Sequence, residues 1–188
     1  MVPEAPLEPT EHGLVASVSG RFVLNARDAR WSSRPGRHSV SFTGKTEWEA
    51  DTYFPMLGVN LAVLDPGEPN SMYHWETETE AFLVLSGEAL LIVESQERPL
   101  RQWDFVHCPP KTEHVIIGAG DGPCVLLAMS SRQNQAFGPY GEYVANEVAR
   151  KHRASPRKTT QDADLADADV PWPSSEPASY GDGRLPIG

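Results

Sequence analysis

Glu80 heads an unbroken run of hydrophobes, Ala81-Phe-Leu-Val-Leu85, that ends at Gly87. Five consecutive apolar residues leave neither face of a strand fit for water, so this strand must be covered on both sides. A carboxylate opening such a strand is costly to bury unless a cation neutralises it. Six residues upstream stands His74, and between them Glu76, in Met72-Tyr-His-Trp-Glu76. Side chains alternate along an extended chain, so Met72, His74 and Glu76 share one face and Tyr73 and Trp75 the other. A turn at Thr77-Glu78-Thr79 would return Glu80 beside His74. An imidazole and two carboxylates collected in this way suit a divalent metal.

A second stretch, Trp103 to Gly118, carries a strand (Phe105–Cys108), a Pro109-Pro110 turn and a new strand with His114 at its mouth. The remaining apolar runs are also short. Met56 to Leu64 closes at Asp65-Pro66-Gly67, where Pro and Gly favour a tight turn. Ala89 to Glu94 follows Gly87, and Ser95 to Pro99 turns the chain again. Gly118 to Gly122 is expected to join His114–Ile117 to Val125–Met129 as a hairpin. Seventeen prolines and fifteen glycines in 188 residues fit such a turn-rich chain. Short strands without intervening helices predict an all-β antiparallel barrel or jelly roll.

The flanks read differently. Residues 1–13 are expected to be poorly ordered, Leu14–Leu24 to form an arm-like strand pair about Ser19-Gly20, and Asn25–Trp31 to make one helical turn. Ser32–Arg37 reads as a loop and His38–Thr43 as a strand. Tyr143–His152 has the spacing of a modest amphipathic helix. The rest is a Pro- and Asp-rich tail (Asp162, Asp164, Asp167, Asp169), with Trp172, Tyr180 and Leu185 available to lie on the barrel. The expected organisation is therefore an arm over 1–37, a barrel over 38–131 and a helix with tail over 132–188.

Formal charge and hydropathy narrow the partners. A net charge of −10 argues against nucleic acid or an anionic membrane surface. No apolar run approaches the ~18 residues of a membrane span, and the first residues lack a signal-peptide pattern. A soluble cytoplasmic protein is the expectation. Cys108 and Cys124 are too few for a disulfide framework and read as two small buried thiols.

The two stretches together resemble the paired signature motifs of the cupin superfamily. Gly67, six residues, His74-x-Glu76, three residues, Glu80, six residues and Gly87 follow the first motif, with Glu76 where the family carries a second histidine. Trp103, five residues, Pro109-Pro110-Lys111, two residues, His114, three residues and Gly118 keep the spacing of the second. There Trp103 and Lys111 replace glycines and Gly118 replaces an asparagine. The resemblance, over roughly residues 38 to 130, implies a cupin-type barrel and one divalent ion per chain (Fe, Mn, Ni or Zn). His74, Glu76, Glu80 and His114 are its candidate ligands. Glu76 has three open roles: fourth ligand, acceptor beside the ligands, or general base.

The spacing is also similar to that of 3-hydroxyanthranilate dioxygenases, a cupin family with a two-His, one-Glu iron site. The correspondence implies His74, Glu80 and His114 as ligands and leaves Glu76 outside the coordinating set, where it is the candidate catalytic residue. That family's substrate-binding arginines fall at Asn70 and Gly118, so its own reaction is not expected here. Alternation puts Met72, Phe82, Val84 and Ile116 on the ligand faces, with Asn60 either capping backbone or facing the pocket. Walls of this kind suit a small, largely apolar or aromatic substrate. A metal-dependent, dioxygenase-like enzyme is the leading expectation. A sugar or sugar-phosphate isomerase is the alternative, with Lys111 the nearest basic residue in sequence, and a non-catalytic metal- or ligand-binding module is third. Relatives often pair, and the outer face of 81–85 (Ala81, Leu83, Leu85) needs a cover, so a homodimer is expected.

Overall fold

Frequent prolines and glycines leave strands only three to eight residues long. The computed structural model describes residues 2, 4–16, 18, 20–43, 56–132, 141–161 and 175–180. Its first strands are β1 (Leu7–Thr10), β2 (Gly13–Ala16), β3 (Trp31–Arg34), β4 (Arg37–Ser41), β5 (Leu57–Leu64), β6 (His74–Glu76) and β7 (Glu80–Ser86). They are followed by β8 (Glu88–Val93), β9 (Gln96–Arg101), β10 (Phe105–Cys108), β11 (His114–Ala119), β12 (Cys124–Ser131) and β13 (Gly141–Tyr143). A short helix, α1 (Glu147–Lys151), precedes the last strand, β14 (Glu176–Ala178).

Two antiparallel sheets face each other as a jelly roll. The larger runs β10-β7-β12-β5-β4-β3-β14 and the smaller β13-β6-β11-β8-β9. Between them lies a core that includes Leu64, Phe82, Val84, Leu91, Ile116 and Leu126. The outer face of the larger sheet buries Trp31, Val40, Leu61, Val63 and Val125 under the N-terminal segment and Tyr180. On the smaller sheet, Tyr73, Ile92, Val115 and Ile117 lie under Ala149 of α1 and Ala154. This explains β11 and the later half of β5, where one face meets the opposite sheet and the other a covering segment, whereas the outer residues of β7 (Ala81, Leu83, Leu85) are only half-buried. Each fully buried aliphatic or aromatic side chain contributes about 1.5–3 kcal/mol of burial free energy.

The structure corrects several sequence expectations. An N-terminal hairpin turns at Glu11-His12, where Thr10 Oγ1 accepts from the His12 amide (3.2 Å) and donates to the Gly13 carbonyl (2.7 Å), while Ser19, at the centre of the strand pair expected over Leu14–Leu24, lies outside the described residues. The supposed loop Ser32–Arg37 contains β3, a turn and the start of β4. Gly36 supplies that turn with φ of +74°. Gly118–Gly122 is not a hairpin: β11 pairs with β6 and β8, β12 with β5 and β7, and the link carries the chain between sheets. The helix is shorter than its amphipathic spacing, because Tyr143 pairs in β13 and Asn146 caps α1 by accepting from Val148 N (2.9 Å) and Ala149 N (3.0 Å). Within the tail, β14 extends the larger sheet beside β3, and Tyr180 packs on Trp31 at 5.7 Å. The acidic run, Trp172 and Leu185 lie outside the described residues.

Both cysteines are buried and unpaired. Burial, with Glu80 and Glu94 nearby, pushes the Cys108 thiol up to about 12, and burial alone takes Cys124 to about 11. Neither is poised as a thiolate nucleophile.

Candidate metal centre

The two histidines come from neighbouring strands of the smaller sheet. His114 stands directly opposite His74 across β11 and β6, and their ring centroids are 4.9 Å apart. Backbone carbonyls orient both rings: His74 Nδ1 lies 2.8 Å from the Met72 carbonyl and His114 Nδ1 3.0 Å from that of Thr112. A carbonyl only accepts, so each Nδ1 carries the proton and each neutral Nε2 presents a lone pair. Glu80 reaches the same point from the larger sheet. Its Oε2 is 3.3 Å from His114 Nε2 and 3.8 Å from His74 Nε2. The three ligand atoms lie within 4.8 Å of one another.

Glu76 stays outside this group of three. Its Oε1 is 3.7 Å from His74 Nε2, and its Oε2 is buried without a hydrogen-bond partner. Buried His114 Nε2 has no such partner either. Two orphaned buried polar atoms beside a His-Glu-His cluster are what an absent cation would leave, since buried polar groups are otherwise paired. Nitrogen and carboxylate donors together also suit a borderline divalent ion. The residues therefore fit one.

The protonation pattern agrees. Burial, and then Glu76, raises the Glu80 carboxyl to about 8, against the opposing pull of His74. Burial alone would depress His74, but the Glu76 and Glu80 carboxylates outweigh it and hold this imidazole above its ordinary value. Burial, reinforced by His74, lowers His114 to about 4. The raised His74 and Glu80 both favour holding a proton, as groups that lack a neighbouring cation would.

A cavity of about 170 Å³ opens beside these residues. Asn60, Phe82 and Ile116 line it, with Ala128 and Met129. Met72 and Val84 are buried but are not among its lining residues. Val84 does share the inward face with Glu80 and Phe82. It sits one pair deeper along β7, opposite Leu126, where the core has closed.

Much of the remaining lining is polar, which corrects the expectation of greasy walls. Arg37, Asn70, Ser71, Ser130 and Arg132 also face the cavity. Sequence reading missed both arginines, because boundaries at 38 and 131 leave each one residue outside the barrel. The register gives the usable signal. Ser39 lies opposite Ala62, and Ser41 opposite Asn60, so Arg37 begins the inward-facing series of β4.

The second motif's turn also contacts the site. The Lys111 amide donates to the Glu76 carbonyl at 2.7 Å. Lys111 and Trp103, which stand where the related motif has glycine, both adopt left-handed backbone, φ +68° and +73°. Gly118 is needed for close approach: a Cβ there would lie 2.9 Å from the Leu64 carbonyl oxygen and closer still to that of Asp65.

Comparison with known proteins agrees with this architecture. Residues 60–130 match the family described as Cupin domain. The chain is 26% identical over 69 residues to an uncharacterized protein of Methanocaldococcus jannaschii, a match covering 37% of this chain and 55% of that protein. It thus spans about half the length of the curated relative it matches. One similar crystal structure is a sugar phosphate isomerase from a cupin superfamily, from Silicibacter pomeroyi, with 22% identity, TM-score 0.48 and coverage of 65% of this chain and 78% of that one. Another is a salicylate 1,2-dioxygenase from Pseudaminobacter salicylatoxidans, with 16% identity, TM-score 0.44 and coverage of 53% and 27%. The protein carries a cupin-superfamily domain, and residues 60–130 are its matched extent.

Proposed function

We propose that this chain is a divalent-metal-dependent enzyme acting on a small organic substrate in the cavity between the sheets. One observation carries the reading: two carbonyl-oriented imidazoles turn their Nε2 atoms toward a buried Glu80, and the His114 Nε2 has no hydrogen-bond partner. His74, Glu80 and His114 would hold one ion, drawn from Fe, Mn, Ni or Zn. When bound, the ion would supply Lewis acidity and, for a redox-active metal, the means to activate dioxygen.

The chain's own residues would do the rest. The Met72 and Thr112 carbonyls hold the imidazoles in one tautomer, as orienting partners do for metal-binding histidines. Phe82 and Ile116 keep water from the ligand side of the cavity. Glu76, beside the ligands but outside their cluster, would take a proton from a substrate and return it. Two histidines and one carboxylate with open positions are the set that non-haem oxygenases use, so dioxygenase-like oxidation comes first. Proton-transfer isomerisation of a sugar or sugar phosphate is second, favoured by the polar side chains Asn60, Asn70, Ser71 and Ser130 around the cavity.

The reading is tested on protein purified without chelator. Near-stoichiometric metal is expected in wild type, with nearly all of it lost in a His74→Ala/His114→Ala double variant. Equal metal in both would end the proposal. Apo-protein reloaded with each ion is then assayed for oxygen uptake with catechols, aminophenols and diketones, and for isomerisation of sugar phosphates. Silence in both assays would leave a ligand-binding module.

A cytoplasmic setting belongs to the same proposal, because two buried free thiols suit a reducing compartment. No helix among the described residues is long and apolar enough to cross a membrane. We also propose a homodimer. One outward row of the larger sheet runs Phe105, Leu83, Leu127, Leu61, Val40 in register. Its Val40 end is covered by the chain itself, at 2% exposure, whereas Phe105 at the edge is 61% exposed. Light scattering at micromolar concentration should give twice the 20.7 kDa chain mass. A clean monomer mass would reject the dimer.

A further inference from the structure

The floor of the cavity is a row of side chains across the larger sheet. Phe82 of β7 stands opposite Ala128 of β12, and Ala128 stands opposite Asn60 of β5. Glu80 faces Ser130 one pair nearer the mouth, and Val84 faces Leu126 one pair nearer the packed core. The row is thus the first surface below the metal ligand on β7. Its outer members are two strands apart, roughly 10 Å at about 4.8 Å per strand. Between them Ala128 offers only a methyl group, and Ile116 lines the cavity from the smaller sheet. Space is left here because the centre of the row is small. In the next row down, Leu126 takes the central place and the core is filled.

The two ends of the row differ in chemistry. Phe82 is apolar and buried. Asn60 interrupts an otherwise apolar strand, and the inward residues that follow it, Ala62 and Leu64, belong to the core. It lies half-buried against the cavity. Its amide offers two donors and an acceptor, and among the described residues it makes no hydrogen bond. Other polar groups of the lining are engaged: Asn70 accepts from Arg37, and Ser71 donates to the Met72 carbonyl. A polar side chain on the inner face of a sheet is costly unless it is paired. No described residue uses this amide, which leaves the cavity as the source of its partner. A few well-placed polar groups on an apolar wall are also how small-molecule sites fix orientation.

We propose that Asn60 is the specificity-determining residue of the site. The substrate lies across Ala128, with an apolar edge on Phe82 and an uncharged oxygen group, a hydroxyl or a carbonyl, hydrogen-bonded to the Asn60 amide. This rests on the metal-enzyme reading above and specifies what a metal-bound molecule carries at its other end. A hydrocarbon tail would leave the amide unpaired, and a molecule polar on every edge would lose hydration against Phe82. The substrate class is a small hydroxy or oxo compound that is polar on one side.

The test titrates Zn(II)-loaded protein calorimetrically with short straight-chain hydroxamates, whose headgroup binds the metal. A series of chain lengths is used, each with a methyl, a hydroxyl or a carbonyl at the same position, and metal content is measured in every sample. At one length the hydroxyl or carbonyl form should bind about threefold to tenfold more tightly than the methyl form, the range of a net neutral hydrogen bond. The tighter of the two identifies the group. Asn60→Leu, close in size, should erase this preference at unchanged metal stoichiometry, with the methyl form bound at least as well. Should that variant fail to fold, Asn60→Ala gives the same comparison. Ala128→Leu fills the floor and should weaken the longer chains by more than about tenfold while acetohydroxamate is little changed. In wild type, the Asn60 side-chain amide resonances should shift more with the oxygenated form than with the methyl form. A preference absent at every length, or one that persists in the metal-replete Asn60 variant, would overturn the proposal. Wild type without metal would instead fault the metal reading. The amide resonances are then followed on metal-free protein with butan-2-ol and butan-2-one, and resonances that stay fixed would overturn the Asn60 contact as well.

Discussion

Along β7 the environment changes within a few residues. Glu80 belongs to a cluster of buried charge, Phe82 lines the cavity, and Val84, about 13 Å along the strand at 3.3 Å per residue, has no exposed surface. The same change occurs on β11, from His114 at the mouth to Ile116 in the core. The two ends are stabilised by different physics. The dry end is built of apolar side chains and needs only close packing. The wet end holds carboxylates and imidazoles that burial disfavours, and it needs a cation to offset their desolvation. Stability therefore resides at one end of these strands and chemistry at the other.

The largest separation of the two ends should come from Leu126→Ala. Leu126 has no exposed surface and packs between the sheets opposite Val84. Truncation should cost about 2–5 kcal/mol, read as a lower midpoint in chemical denaturation, while metal per folded chain stays as in wild type. Loss of metal in the folded variant would show that the two ends are not independent.

Next in size is the pH dependence of the metal-free protein. Glu80 in the fold is raised to about 8 from an ordinary 4.5. A carboxyl raised by folding favours the folded state fully only while it is protonated in both states. Between about 4.5 and 6.5 the loss with rising pH is offset by His114, whose depressed value acts in the opposite sense. The apo-protein should therefore lose stability chiefly as pH rises from about 6.5 through 8, by about 2 kcal/mol. A saturating divalent ion should remove most of this slope by stabilising the carboxylate. Melting temperatures from pH 5 to 9, with and without metal, provide the check. Identical slopes would mean that the ion does not contact Glu80.

The contrast between the ends also governs what could be read in the sequence. Alternation and turn length put Glu80 beside His74, and the resemblance to the paired cupin motifs added His114. Alternation likewise gave Phe82 and Ile116 their inward faces. It failed for Val84, since a period of two gives the face of a strand and not the depth along it. It also failed for Arg37 and Arg132, which lie at strand ends, where local pattern is weakest and only register with β5 reveals the direction. The hairpin expected at Gly118–Gly122 failed for a related reason: a short link between strands has the same local appearance whether it pairs them or passes between sheets.

The smallest predicted effect concerns the turn that joins the second motif to Glu76. Lys111 adopts φ of +68°, and this conformation directs its amide at the Glu76 carbonyl, 2.7 Å away. A side chain in left-handed backbone costs about 1–2 kcal/mol. Glycine removes that cost but brings about 0.5–1 kcal/mol of extra chain entropy to be lost on folding. The Lys111 side chain is exposed and contributes little to packing. Lys111→Gly should therefore stabilise the protein by about 0.5–1 kcal/mol, while Lys111→Ala, which keeps the Cβ, should change stability by less than half of that. Denaturation midpoints of the three proteins, measured with the same metal content, decide the matter. If the Gly and Ala variants coincide, the positive φ costs nothing here, and the glycine of the related motif is not explained by this turn.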